Sequence, residues 1–121
     1  MSKNMEISFL LDFYGDMLTE KQRSMVDYYY NEDLSLAEIA ENEGITRQGV
    51  RDSIKRAEVQ LLEMEERLAL AARFRRMQEE LLTVQENARM LRAVNDRNGR
   101  IPEIEECAAK IAAAADRIAE A

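Results

Sequence analysis

The sequence predicts an all-α fold, and three observations support this prediction. The 121 residues include one Pro and four Gly, so few residues oppose a helix. Leu, Ala, Glu, Arg and Met are abundant whereas Val and Thr are scarce, which favours helices over strands. Apolar residues also recur at spacings of three and four along most of the chain. With 46% hydrophobic and 34% charged residues, the chain is typical of a folded, non-membrane protein.

The first two helices are predicted over about residues 5–16 and from Thr19 onward. Asn4 is a candidate N-cap for the first helix, and Gly15 marks its end region. Thr19 and Gln22 have the spacing of a capping box, in which each side chain satisfies a free backbone donor. Residues 31–33 form a polar break after the second helix. Of the three tyrosines before that break, Tyr29 and Tyr30 are expected in the core rather than in a base-stacking platform.

Residues 35–56, SLAEIAENEGITRQGVRDSIKR, predict a helix-turn-helix. Ser35 and Glu38 form a second capping box, and Gly44 suits the left-handed turn that ends a short helix. Thr46 then caps the next helix. Ala40 is small enough to let the two helices cross closely. The residues expected in their shared core are Ile39, Ile45, Val50 and Ile54.

The outward face of the second of these helices carries the candidate nucleic-acid-binding residues. Arg can donate two hydrogen bonds to guanine and Gln can pair with adenine, and both types stand in the first helical turn. Residues 46–77 hold eight basic and five acidic side chains, a net charge of +3, whereas the flanking segments carry −7 and −3. An amphipathic hairpin with a solvated basic face, or a protein-docking surface, would show a similar pattern. The candidate residues are Thr46, Arg47, Gln48, Arg51, Lys55 and Arg56.

Beyond this motif the helix has no evident stop before about Asn95, although a bend or hairpin at residues 70–76 is an alternative. The apolar positions of residues 61–91 form a seam whose last five members follow a heptad pattern. Residues 98–102 interrupt the chain, and an Ala-rich helix follows. The predicted organisation is therefore a helix-turn-helix domain at 1–60, a long amphipathic helix at 61–97 and a last helix at 98–121. The seam is long enough to predict a homodimer as well as an internal core.

The residue types argue against catalysis. There is no His, and Cys107 is the single cysteine, so a disulfide, a zinc site and a Ser–His or Cys–His nucleophile lack their residues. Cys107 is interpreted as a small packing residue, and the acidic clusters as helix-dipole partners rather than metal ligands. The chain is expected to be a non-enzyme without cofactor or metal. Lacking an apolar stretch of about 20 residues or a signal-peptide pattern, it is expected in the cytoplasm.

Residues 18–61, LTEKQRSMVDYYYNEDLSLAEIAENEGITRQGVRDSIKRAEVQL, resemble the fourth region of bacterial sigma factors, a winged-helix-like DNA-binding class. They are more similar still to the YlxM family of small helix-turn-helix proteins. The preceding LLDFYGDMLTEKQR and the following EMEERLAL match that family too, so the resemblance covers roughly residues 5–100. Gly49 stands where the family suggests Ala, and the tail after Pro102 is less typical.

The resemblance implies a regulatory helix-turn-helix protein of the signal recognition particle pathway. It assigns the nucleic-acid face to Arg47, Gln48, Arg51 and Lys55, with DNA or the particle's RNA or protein as partner. The alternative is a protein-binding adaptor in which the long helices engage a partner such as a targeting GTPase. Salt dependence separates the two, because phosphate-driven binding weakens steeply with salt.

Overall fold

The computed structural model describes residues 2–121 and, over these residues, contains α-helices and no strand. The predicted all-α class is therefore confirmed. The chain forms two compact units, one ending at Ala72 and one comprising Arg73–Ala121. None of the helices described is both long and apolar enough to cross a membrane. The helices are α1 Glu6–Tyr14, α2 Glu20–Tyr30, α3 Leu36–Glu43, α4 Arg47–Leu68, α5 Leu70–Arg97 and α6 Pro102–Glu120, with a 3-10 turn at Gly15–Met17.

Side-chain caps begin α2 and α3, as the sequence predicts. The N–H of Gln22 donates to Thr19 Oγ1 at 3.2 Å, and the N–H of Thr19 donates to Gln22 Oε1 at 3.2 Å. Ser35 and Glu38 make the same reciprocal pair at the start of α3, with both distances 3.1 Å. At the start of α1 the backbone of Met5 is already helical, and Asn4 Oδ1 accepts from the N–H of Glu6 at 3.0 Å, so Asn4 caps this helix as predicted.

The core of the first unit is built on one side of α4. Val50, Ile54, Ala57 and Leu61 follow one another at spacings of three and four, and all four have no exposed surface. This side of α4 packs against α1, α2 and α3. The buried side chains that the other helices contribute to this core include Ile7, Leu10, Leu11, Tyr14, Met25, Val26, Tyr29, Tyr30, Ile39 and Ala40.

The observed burial tests the predicted core residues, and Ile39, Val50 and Ile54 are fully buried as predicted. Tyr29 and Tyr30 are buried, with their rings edge to face and their centroids 5.3 Å apart, so their prediction as core residues is confirmed. Ile45 was expected in the core, and that prediction is wrong, since 40% of the residue is exposed. Ile45 lies in the turn between α3 and α4, where the chain runs at the surface.

The predicted long helix over residues 61–97 is two helices, because α4 ends at Leu68 and Ala69 has left-handed φ and ψ of 54° and 30°. Glu65 and Tyr14 stabilise this break by satisfying the first N–H groups of α5. Glu65 Oε1 accepts from the N–H of Ala71 and Oε2 from that of Ala72, each at 3.0 Å. The N–H of Leu70 donates to the Tyr14 hydroxyl oxygen at 3.0 Å, and that hydroxyl donates to Glu65 Oε1 at 2.6 Å.

The second unit is an antiparallel hairpin of α5 and α6. The buried Asn95 closes it: Nδ2 donates to the Ile101 carbonyl at 2.8 Å, and the N–H of Ile101 donates to Oδ1 at 2.9 Å. Gly99 occupies the turn with a φ of 92°.

Cys107 is exposed on α6, so its interpretation as a packing residue is wrong. The buried row of α6 runs through Ala108 and Ala115 instead, and position 107 lies one residue, or about 100°, away from it.

The Tyr14 hydroxyl provides a test of the α4–α5 break. We expect Tyr14→Phe to lower the free energy of unfolding by about 1–3 kcal/mol, because the N–H of Leu70 loses its acceptor and Glu65 loses a donor. Urea denaturation measures this change. Tyr28→Phe is the matched control, since no hydrogen bond of its hydroxyl occurs among the described residues. Equal unfolding midpoints for the two variants would contradict the role of the Tyr14 hydroxyl.

Alkaline pH provides a second test. Burial, reinforced by a hydrogen bond to a glutamate, raises the pKa of both Tyr14 and Tyr30 above the ordinary tyrosine value. In the unfolded chain these groups ionise near pH 10, whereas in the fold they stay protonated, so stability falls as pH rises through about 10. We expect ultraviolet titration to show that Tyr14 and Tyr30 ionise only as the chain unfolds. Ionisation of both residues in the folded protein near pH 10 would contradict this.

Candidate nucleic-acid interface

The turn between α3 and α4 depends on Gly44. Its φ of 68° and ψ of 31° are left-handed, a conformation that costs other L-residues about 1–2 kcal/mol. The N–H groups of Gly44 and Ile45 both donate to the Ala40 carbonyl, the latter at 3.2 Å, which satisfies the end of α3. One residue later, Thr46 begins α4. The predicted Gly turn is therefore present in the structure.

Thr46 is the N-cap of α4, and its hydroxyl lies close to Gly49. Thr46 Oγ1 accepts from the N–H of Gly49 at 3.0 Å. A Cβ atom built on Gly49 would lie 3.2 Å from that oxygen, closer than most real Cβ contacts. An alanine there would bring its Cβ into tight contact with the capping hydroxyl, and glycine avoids this contact but has a weaker helix propensity.

Three of the predicted site residues form a stripe on the exposed side of α4. Arg47, Arg51 and Lys55 are four residues apart and therefore project from successive turns on one face, over about 12 Å. All three are exposed, and no hydrogen bond or ion pair joins them to any residue that the structure describes. We call these three residues the basic stripe. Their charges are fully available to a ligand.

The other side chains on this face are already engaged within α4. Gln48 Nε2 donates to Asp52 Oδ1 at 2.9 Å, and this bond occupies one of the two N–H donors of the amide. Arg56 Nε donates to the Asp52 carbonyl at 3.5 Å, which is at the limit of a hydrogen bond. Gln48 and Arg56 are thus hydrogen-bonded to Asp52, whereas the residues of the basic stripe have no partner among the described residues.

A surface depression joins the start of α4 to the start of α3. The backbone N–H groups of Leu36, Ala37, Arg47 and Gln48 occupy the first two positions of these helices and have no partner within the described chain. Such donors, together with the positive ends of the helix dipoles, attract phosphate. The depression is lined by Ser35, Leu36, Ala37, Thr46, Arg47, Gln48 and Arg51.

Sequence reasoning missed the α3 part of this depression. Ser35, Leu36 and Ala37 were not among the predicted site residues, although the Ser35–Glu38 capping box did mark the start of a helix. The capping box could have indicated that the backbone N–H groups of Leu36 and Ala37, the first two residues of α3, are free to bind a ligand. Their position beside Arg47 depends on how α3 crosses α4, which a capping box does not specify.

A short helix, a left-handed Gly turn and a second helix with an exposed basic face define the helix-turn-helix class. Comparison with known families agrees: residues 1–100 match the family UPF0122, described as "Putative helix-turn-helix protein, YlxM / p13 like". The chain belongs to this family, which confirms the resemblance seen in the sequence. The match ends before the Ala-rich α6, the segment that was less typical.

Bacterial relatives named UPF0122 protein support the assignment. One from Clostridium kluyveri is 53% identical over 70 residues, which are 58% of this chain and 63% of the relative. One from Halalkalibacterium halodurans is 45% identical over 86 residues, covering 71% of this chain and 79% of the relative. One from Clostridium botulinum is 42% identical over 98 residues, covering 81% and 90%. The match to the first relative thus spans less than two thirds of that protein's length.

Gly44 is the residue through which the turn can be tested. We expect Gly44→Ala to lower the free energy of unfolding by about 1–2 kcal/mol, because alanine is strained at positive φ. Gly44→Asn should lose less, since asparagine tolerates the left-handed region. Urea denaturation of both variants provides the comparison. A Gly44→Ala variant as stable as the parent protein would show that the turn does not need this conformation.

Proposed function

We propose that this protein binds nucleic acid through the first half of α4 and acts as a regulatory helix-turn-helix protein in the cytoplasm. The observation that carries the proposal is the basic stripe, whose three cations have no partner among residues 2–121 and begin beside four backbone donors that are also unpaired there. Cations and helix N-termini are the groups that hold phosphate oxygens, and phosphate contacts supply most of the binding energy. The turn geometry exposes this end of α4 to a ligand.

Each site residue has a distinct role in this proposal. Arg47 and Gln48 stand in the first turn of α4, the part of such a helix that meets base edges in a major groove. Gln48 would exchange its bond to Asp52 for one to adenine. Arg51, Lys55 and Arg56 lie further along the helix and would hold the backbone. Thr46 contributes through its cap, which fixes the first turn.

The distribution of charge limits the surface that a nucleic acid would contact. Residues 1–45 carry a net charge of −7, including three glutamates on α3, so a duplex would approach along α4 and avoid the outer side of α3. We propose DNA as the ligand, with signal recognition particle RNA as the second nucleic acid to test. The link to that pathway is supported by the resemblance of residues 5–100 to YlxM proteins.

A second candidate function is that of a protein-binding adaptor. Its support is the number of large apolar side chains that α5 and α6 leave at least 40% exposed, such as Leu82, Met90 and Ile118. Exposed apolar surface on this scale is typical of interaction sites. Binding of a partner through this surface would depend little on salt, in contrast to phosphate-driven binding.

Fluorescence anisotropy tests the proposal directly. We expect labelled duplex DNA to bind, with an affinity that falls as salt rises from about 50 mM to about 200 mM. The slope of log K against log salt should be about −3, about one for each of the three cations assigned to phosphates, Arg51, Lys55 and Arg56. Labelled signal recognition particle RNA, titrated in the same way, distinguishes a transcriptional from an RNA-directed role. Absence of binding to both would exclude the nucleic-acid proposal and leave the adaptor function.

The basic stripe is tested by a double substitution. Arg47→Ala with Arg51→Ala should raise the dissociation constant at least about tenfold, because each removes a base or phosphate contact, without changing the unfolding midpoint. The control is Arg76→Ala with Arg89→Ala, which removes the same charge from exposed positions of the other unit. Equal losses in the two variants would show that the effect comes from net charge alone. Unchanged binding in the first variant would refute the assignment of the site.

A further inference from the structure

The α5–α6 hairpin has two unlike faces. Toward each other, the helices bury a row that repeats every seven residues: Leu81, Ala88 and Asn95 on α5, and Ala108 and Ala115 on α6. A second row with the same repeat lies beside it and consists of large apolar residues. Five of its members are between 41% and 47% exposed, and Ile104 is half-buried. This row, named here the hairpin apolar face, comprises Met77, Val84, Leu91, Ile104, Ile111 and Ile118.

The two helices present these residues at matching heights. The Asn95–Ile101 bonds set the register of the antiparallel pair. In that register Leu91 is level with Ile104, Val84 with Ile111 and Met77 with Ile118. The result is three apolar layers, about 10 Å apart, across the width of the hairpin.

The polar side chains of the hairpin lie on its opposite face. Arg92 Nη2 donates to Glu105 Oε1 at 2.6 Å, and Gln85 Nε2 donates to Asp116 Oδ1 at 2.8 Å. Gln85 and Arg92 each come one residue after a member of the hairpin apolar face. One residue turns the helix by about 100°, so these two polar side chains lie on the other side of the buried row. Charge is thus concentrated on one face of the hairpin.

The edges of the hairpin apolar face carry almost no charge. Its neighbouring positions are Asn87 and Val94 on α5, Cys107 and Ala114 on α6, and one glutamate, Glu80. A surface of this kind offers nothing to a phosphate or to a charged peptide. It suits another apolar helical surface of similar dimensions.

The hairpin also lacks part of a core. Its buried row contains mostly alanine, which removes little apolar area from water when two helices pack alone. Apolar residues at both alternating heptad positions of both helices are the pattern of a four-helix bundle, in which each helix packs against two neighbours. Two helices that carry this pattern are half of such a bundle.

We propose that a second copy of this chain covers the hairpin apolar face, so that two hairpins form a four-helix bundle about a two-fold axis. The 19 residues of α6 extend over about 28 Å, and two helices side by side are about 20 Å wide. The footprint is therefore about 560 Å² on each copy, or about 1,100 Å² in total, which reaches the size that a specific interface needs. In a two-fold dimer the same surface of each copy meets its equivalent, and an apolar surface can pack against itself in this way. This inference does not depend on nucleic-acid binding.

Light scattering after size exclusion, over low to high micromolar concentrations of the full chain, tests the proposal. The parent protein should have twice the chain mass of 14.0 kDa. Val84→Glu with Ile111→Glu should halve the mass, because it places carboxylates in the middle layer. Met90→Glu is the control for the single variant Ile111→Glu, which adds the same one carboxylate: it changes an apolar α5 residue that is 65% exposed and away from the face, and it should remain a dimer.

Circular dichroism establishes that the variants keep their helices. If the double variant loses helical signal, Ile111→Glu alone is compared with Met90→Glu by the same criterion. A monomeric parent protein, or a dimer that survives in a folded Val84→Glu, Ile111→Glu variant, would overturn the proposal. Dissociation of the Met90→Glu control to the same extent would also overturn it, since the interface would then lie on another side of α5.

Discussion

The fold of the first unit depends on the exclusion of one side of α4 from water. Val50, Ile54, Ala57 and Leu61 have no exposed surface, and this single row packs against α1, α2 and α3. Full burial of Val50, Ile54 and Leu61 contributes about 1.5–3 kcal/mol each. The basic stripe lies on the other side of the same helix. The packing that makes the core therefore also fixes the direction in which Arg47, Arg51 and Lys55 project.

Two tyrosine–glutamate pairs add direction to this apolar packing. Glu58 and Glu65 are seven residues apart on α4 and accept hydrogen bonds from Tyr30 of α2 and Tyr14 of α1, both at 2.6 Å. Hydrogen bonds to a charged acceptor are stronger and more directional than apolar contacts. The pairs set the positions of α1 and α2 along α4. Glu65 also caps α5, so one side chain serves both the packing of α1 and the end of α4.

The two units present surfaces of different physical character. The first unit has exposed cations and free backbone donors, groups that act through electrostatics and respond to salt. The second has apolar layers with few charges, a surface that acts through burial and responds weakly to salt. The heptad pattern of residues 77–91 indicated such a surface. The position of the α6 isoleucines beside it required the hairpin register that Asn95 establishes.

The sequence by itself determined what depends on neighbours a few residues away. The all-α class, both capping boxes, the left-handed turn at Gly44 and the membership of the helix-turn-helix family all follow from such local patterns. The stripe of Arg47, Arg51 and Lys55 was also readable, because four-residue spacing places side chains on one face of any helix.

Only the tertiary structure decided features that join distant residues. The helix α4 ends at Leu68 because Glu65 meets Tyr14, 51 residues earlier in the chain, and no Gly or Pro marks that position. The depression beside Arg47 exists because α3 crosses α4 with its first turn close by. The exposure of Ile45 and Cys107 likewise reflects which side of each segment finds a partner. Local sequence sets propensities and periodicity, whereas contacts between segments decide which residues are buried and where a helix stops.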